Sequence, residues 1–141
     1  MSIDFTTETT PILRETILVV EGEVFVRMVI SDYLRGCGYK VIEAANSDEA
    51  LVVLQNPEIA IDVVFSSIEA PGSMDGFELS RWIRANRPGL DVLLAGSVPR
   101  AVSVATELCD EGPLPKPYEP QVVVDRIRRL IAARAAQRNK R

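Results

Sequence analysis

The side chains that could do chemistry in this chain of 141 residues are acids, serines and a lysine, because it contains no histidine. A Ser-His or Cys-His unit is therefore excluded, and so is the commonest metal ligand. Three segments carry the remaining candidates: Glu21-Gly22-Glu23, Ser66-Ser67-Ile68-Glu69 and Lys116-Pro117. A serine hydroxyl attacks only after giving its proton to a neighbouring base, and Glu21 is the one acid placed to take it. Mg²⁺ needs several oxygen ligands in near-octahedral geometry. Glu21 alone makes a poor site, even with Glu23 and Glu69 as further pocket acids. Cys37 and Cys109 lack metal-ligand spacing and are expected to be buried, inert thiols.

These segments meet only if the fold gathers the ends of its strands. Residues 16–20 form an almost continuous β-branched run, the pattern of a strand buried on both faces. A helix follows with Val26, Val29, Ile30, Tyr33 and Leu34 at helical spacing, ending at Gly36-Cys37-Gly38. A second strand spans 39–44, where Lys40 and Glu43 interrupt the apolar run and favour a sheet edge. Asn46 with Glu49 three residues on resembles a capping arrangement for a helix through Leu54.

The remaining strands are expected over 61–65, 91–95 and about 113–114. Helices are expected over about 75–85, over 97–109, and after Pro120, the last burying Val123, Ile127, Leu130 and Ile131. Trp82, on the helix over 75–85, is expected to be half exposed. Such strand–helix alternation with short connections implies a parallel sheet covered on both faces. In that class ligands collect at the carboxyl ends of the strands, where all three segments lie.

At this point the chain resembles a bacterial two-component response-regulator receiver domain, over roughly residues 15–133. The resemblance rests on Ile17-Leu-Val-Val20 running into acids, on Ala44-Ala-Asn46 followed by Glu49-Ala-Leu51, on Pro71-Gly72 with Asp75-Gly76, and on Leu114-Pro-Lys-Pro-Tyr118. It implies an α/β, flavodoxin-like (βα)5 three-layer sandwich with a parallel five-stranded sheet in the order 2-1-3-4-5. It also implies two acids after the first strand for Mg²⁺, an aspartate after the third that accepts phosphate, and a lysine after the fifth that contacts it. A hydroxyl after the fourth strand and an aromatic in the fifth would carry the signal.

Residue by residue, this chain departs from that pattern. Glu21 matches the first acid, and Lys116 and Pro117 match the lysine and its proline. The second acid falls on Gly22, the phospho-acceptor on Ser67, the switch hydroxyl on Ala95 and the switch aromatic on Pro113. Phosphoryl transfer depends on positioning and charge neutralisation around the nucleophile, and here a neutral hydroxyl replaces an ionised carboxylate. The expected pocket is degenerate, with no catalytic residue, no metal and no cofactor, Mg²⁺ included. An ion pair of Lys116 with Glu21 is expected in its place, with Glu69 as the rival partner.

The chain carries 16 basic and 20 acidic residues, yet seven basic residues and no acid follow Asp125. That stretch reads as a solvated last helix rather than a nucleic-acid interface, for which no recognition motif is present. No apolar run approaches the ~20 residues that span a bilayer, and no secretory signal is evident, so a cytoplasmic location is expected. The expected organisation is a flexible segment over 1–14, a receiver-like domain over 15–136 and a basic tail over 137–141. The function expected is a non-enzymatic, phosphorylation-independent interaction module. Its partner would be a protein: a histidine kinase, another regulator or an output protein, or a second copy of the chain. The candidate face includes Arg100, Val122, Arg126 and Arg129. The alternative is an active receiver phosphorylated on Ser67 or an offset residue such as Glu69. A flavodoxin-type phosphate cradle is disfavoured by the two negative charges of Glu21-Gly22-Glu23.

Overall fold

In the computed structural model, which describes residues 15–96 and 114–139, β1 (Thr16–Val20) runs through the centre of the molecule. Its residues Ile17 to Val20 are fully buried, as an unbroken apolar run requires when both sheet faces are covered. The other strands are β2 (Lys40–Ala44), β3 (Val63–Ser67), β4 (Asp91–Gly96) and β5 (Leu114–Pro115). They form one parallel sheet in the order β2-β1-β3-β4-β5. This is the flavodoxin-like fold expected from the sequence. The described helices are α1 (Val24–Gly36), α2 (Ser47–Leu54), α3 (Gly76–Asn86) and α4 (Pro120–Asn139).

Because side chains alternate across a strand, the sheet feeds two cores. Ile17, Val19, Val63 and Phe65 pack with Ile30 and Leu34 of α1 and with Val123, Val124 and Ile127 of α4. Leu18, Val20 and Val64 pack on the opposite face with Ala50 and Leu54 of α2 and with Leu79 and Ile83 of α3. The lone Trp82 is partly buried against this second core. Tyr39 and Tyr118 pack against the first, and Tyr33 bonds Gln121 across α1 and α4 at 2.5 Å.

The structure corrects four local expectations. β3 lies two residues further along than the run 61–65. The Asp62 carboxylate accepts the Thr16 N–H at 2.8 Å, and the Asp62 N–H donates to the Thr16 carbonyl at 2.9 Å. The ladder then continues through Ser66 and Ser67, opposite Leu94 and Ala95. On α1 only Ile30, Ser31 and Leu34 are buried, while Val29 is 56% exposed and Tyr33 38% exposed. The Ile30–Leu34 stripe faces the sheet, and Val29 stands to its side. Cys37 is exposed rather than buried, because it occupies the C-cap of α1, where the chain leaves the core. On α4, Val124 joins the core, whereas Leu130 and Ile131 are only partly buried. The helix expected over 97–109, with Cys109 and Arg100, lies outside the described residues, as does Pro113. No helix among the described residues is long and apolar enough to cross a membrane.

Candidate functional site

The carboxyl ends of β1, β3 and β5 bring Glu21, Ser67 and Lys116 together. Glu21 follows β1 directly and is 5% exposed. Its backbone N–H donates to the Ala44 carbonyl at 3.0 Å. Ser67 closes β3 and is 3% exposed. Lys116 follows β5, and its N–H donates to the Gly96 carbonyl at 2.7 Å, which aims the side chain across the strand ends. The Lys116–Pro117 peptide is cis.

Lys116 Nζ donates to Ser67 Oγ at 2.7 Å and to Glu21 Oε1 at 3.0 Å. Glu69 Oε1 lies at 4.0 Å from the same nitrogen. The ion pair anticipated between Glu21 and Lys116 is thus the tighter of the two. The other oxygen of Glu21, Oε2, accepts the Glu23 N–H at 3.0 Å. Glu23 is the N-cap of α1 and makes no side-chain cap bond, while its own N–H, which has no partner within the helix, is satisfied by the Glu21 carboxylate. A buried pair of this kind fixes geometry without necessarily adding net stability.

Ala95 is fully buried in β4 and presents no hydroxyl. Pro117 is exposed. Of the expected partner face, Val122 is 42% exposed and Arg129 is exposed, whereas Arg126 is partly buried.

Several functional-looking features were not read from the sequence. Arg27 donates to the Glu21 carbonyl at 2.8 Å and pairs with Glu43 at 3.3 Å, tying α1 to the pocket and to β2. Arg27 falls outside the apolar spacing of α1, which gives no sign of either partner. Pro71 packs on Gly22: a Cβ at Gly22 would lie 2.7 Å from Pro71 Cδ and 2.9 Å from Cγ. No local pattern signals such a contact between residues far apart in sequence. An open groove of about 500 Å³ also runs beside the pocket. It is lined by Phe25, Val26 and Val29 of α1 and by Lys116, Pro117 and Tyr118 of the loop after β5, among others. Phe25 is 79% exposed, and Val24, Met28 and Val29 are exposed beside it. An apolar helix face of this kind marks a contact surface more often than a solvated one.

A family model, the response regulator receiver domain, matches residues 17–128. The chain belongs to that family. Among curated proteins it is 32% identical over 122 residues to the transcriptional regulatory protein ResD of Bacillus subtilis, covering 86% of this chain and 49% of that protein. It is 34% identical over 116 residues to the response regulator protein FleR of Pseudomonas aeruginosa, covering 80% of this chain and 24% of that protein. The chain therefore spans half or less of these relatives. Among solved structures, a CheY-like receiver domain protein from Methanospirillum hungatei superposes with a TM-score of 0.76 at 21% identity, covering 88% of this chain and 98% of that one. That likeness speaks to the fold.

The family implies Mg²⁺ at this pocket, and the donors present do not suit it. Glu21 has one oxygen on Lys116 and the other on a backbone N–H. Gly22 offers no side chain, and the Ser67 hydroxyl is neutral and already bonded to an ammonium. Mg²⁺ binds carboxylates and waters in near-ideal octahedral geometry, and the Glu21 carboxylate, the one buried acid among the described residues, is committed elsewhere. Among the described residues, no three acids or cysteines are grouped closely enough to hold a metal.

Proposed function

We propose that the chain acts in two-component signalling as a receiver domain that works without phosphorylation, as a protein-interaction module rather than an enzyme. The observation that carries this reading is the bond from Lys116 Nζ to Ser67 Oγ at 2.7 Å. In a receiver the residue at this place must present an ionised oxygen to phosphorus. Here it is a buried hydroxyl whose lone pair already accepts an ammonium proton, and the nearest carboxylate, Glu21, is paired with the same ammonium. A hydroxyl so placed has no free base to take its proton. The interaction part of the reading is supported by the exposed apolar side chains of α1 and the groove beside them. The partner we favour is another protein of such a pathway: a histidine kinase, a second regulator or an output protein.

The test is incubation with a small phosphodonor and Mg²⁺, followed by intact-mass and peptide mass spectrometry. No phosphoryl adduct is expected. A stable adduct on Ser67 would overturn the proposal. An adduct on Glu69 would establish the second reading, an offset acceptor, which is favoured only by the 4.0 Å approach of that carboxylate to Lys116.

A further inference from the structure

We infer that α1 is an interface for a second copy of this chain, with two α1 helices packed across a two-fold axis and Phe25 of each seated in the groove of the other. Association through α1 needs no phosphoryl group, so it goes beyond the reading of the pocket as silent and does not rest on it.

The fold leaves one side of α1 uncovered. Ile30 and Leu34 face the sheet, while Val24, Phe25, Met28 and Val29 are 58, 79, 48 and 56% exposed. Val24 with Met28, and Phe25 with Val29, make two adjacent i,i+4 ridges, the surface that one helix offers to another. Beside the ridges runs the groove of about 500 Å³, lined by Val26 and Ile30 of α1 and by Pro117, Tyr118 and Pro120 at the start of α4. A projecting ring next to an apolar hollow is self-complementary. A two-fold operation carries each ring to the partner's hollow, and every contact is then made twice.

Charge favours the same occupant. Arg27 is the one charged residue between Glu23 and Asp32. Its guanidinium is engaged on the Glu21 carbonyl at 2.8 Å and on Glu43 at 3.3 Å. The charged residues lining the groove, Lys116 and Glu69, lie 4.0 Å apart and offset each other. An acidic or basic segment therefore gains little here, whereas an uncharged apolar helix face fits. The first two turns of α1 from a second copy are such a face. With Tyr33, 38% exposed, these side chains offer on the order of 500 Å² per copy. A two-fold pair buries about 1,000 Å² in all, where specific interfaces begin and transient ones lie. The dimer is accordingly weak, with a Kd on the order of 10–100 μM.

Sedimentation equilibrium on the full chain tests this by reading the weight-average mass between about 5 and 500 μM, a range that brackets that Kd. The mass is expected to climb from monomer toward dimer and to stop there, because a two-fold contact closes on itself. Phe25→Asp is expected to weaken association at least about tenfold with Tm unchanged, since the ring is exposed. Met28→Lys is expected to do the same, and decides the matter if the first variant misfolds. Val52→Asp alters a side chain 71% exposed on α2, across the sheet from α1, and is expected to associate as the parent does. A parent that stays monomeric at the highest concentration overturns the inference and leaves the face to a helix of a different protein. Growth beyond the dimer, undiminished association in both α1 variants, or equal loss in V52D overturns it too. A monomer leaves the silent pocket standing, whereas a phosphoryl adduct defeats the silent pocket and leaves the dimer standing.

Discussion

Tyr118 shows how a single residue departs from its ordinary chemistry here. Its ring stands edge-on to Phe65, with centroids 5.4 Å apart, and its hydroxyl is buried with no hydrogen-bond partner among the described residues. Burial pushes its phenol far above the ordinary value of 10.0, and the negative charge of Glu21 adds to the effect. The folded state thus holds this proton more tightly than the unfolded chain does. Below pH 10 the group makes no difference to stability, and as pH rises past the unfolded value, stability is progressively lost. Tyr118→Phe is expected to flatten that alkaline loss in Tm measured from pH 8 to 11. At neutral pH it is expected to be neutral or to stabilise by up to about 1 kcal/mol, since it removes an unsatisfied buried hydroxyl. A Tm clearly below the parent at neutral pH would mean that the hydroxyl is bonded after all. From the sequence, Tyr118 was legible only as the residue closing the Lys116-Pro117 motif. Its burial depends on Phe65, 53 positions away, and on no local pattern.

At the scale of elements, caps and ladders decide what was legible. Asn46 and Glu49 were read as a capping arrangement, and the Glu49 N–H donates to Asn46 Oδ1 at 2.8 Å. The Glu49 carboxylate reaches back to the Ala45 N–H, at 2.7 Å. Asp75 and Glu78 have the same spacing and form a full capping box at α3, with bonds of 2.8 and 2.9 Å. Asp75→Ala is expected to cost about 1 kcal/mol, read as a lower denaturation midpoint in urea; an unchanged midpoint would show that the box contributes nothing. The edge position of β2 was legible because Lys40 and Glu43 break its apolar run, and both are exposed. The start of β3 was not legible, because Ile61 continues the apolar pattern while Asp62 turns back to bond Thr16. The face of α1 was half legible: periodicity finds Ile30 and Leu34, but it also counts Val29 and Tyr33, which stand exposed. The three site segments were placed at one end of the sheet by strand order alone. The packing of Pro71 on Gly22 was not, since it is a contact between two loops.

For the whole molecule, the long α4 is what ties the last strand to the first half of the chain. It packs Val123, Val124 and Ile127 on the sheet, and near its end Arg134 grips Asp91 at the start of β4, with contacts of 2.9 and 3.0 Å. Arg134 also donates to the Gly89 carbonyl. Both side chains are about a third exposed or less, 32% and 25%, so solvent screens the pair only in part. Arg134→Ala is expected to destabilise the fold by about 1–2 kcal/mol, measured by denaturant unfolding with an unchanged slope. A loss below the error of that measurement would make the grip ornamental. The same helix runs through Asn139, so the basic residues expected as a tail from 137 begin inside it.

The two faces of the sheet also carry different chromophores. The single indole sits with α2 and α3, whereas Tyr33, Tyr39 and Tyr118 all lie on the side of α1 and α4. Fluorescence excited at the indole alone therefore watches one layer melt, and tyrosine absorbance watches the other. Superimposable curves would certify all-or-none unfolding, and a lag between them would say which layer loosens first, with no label added to the protein.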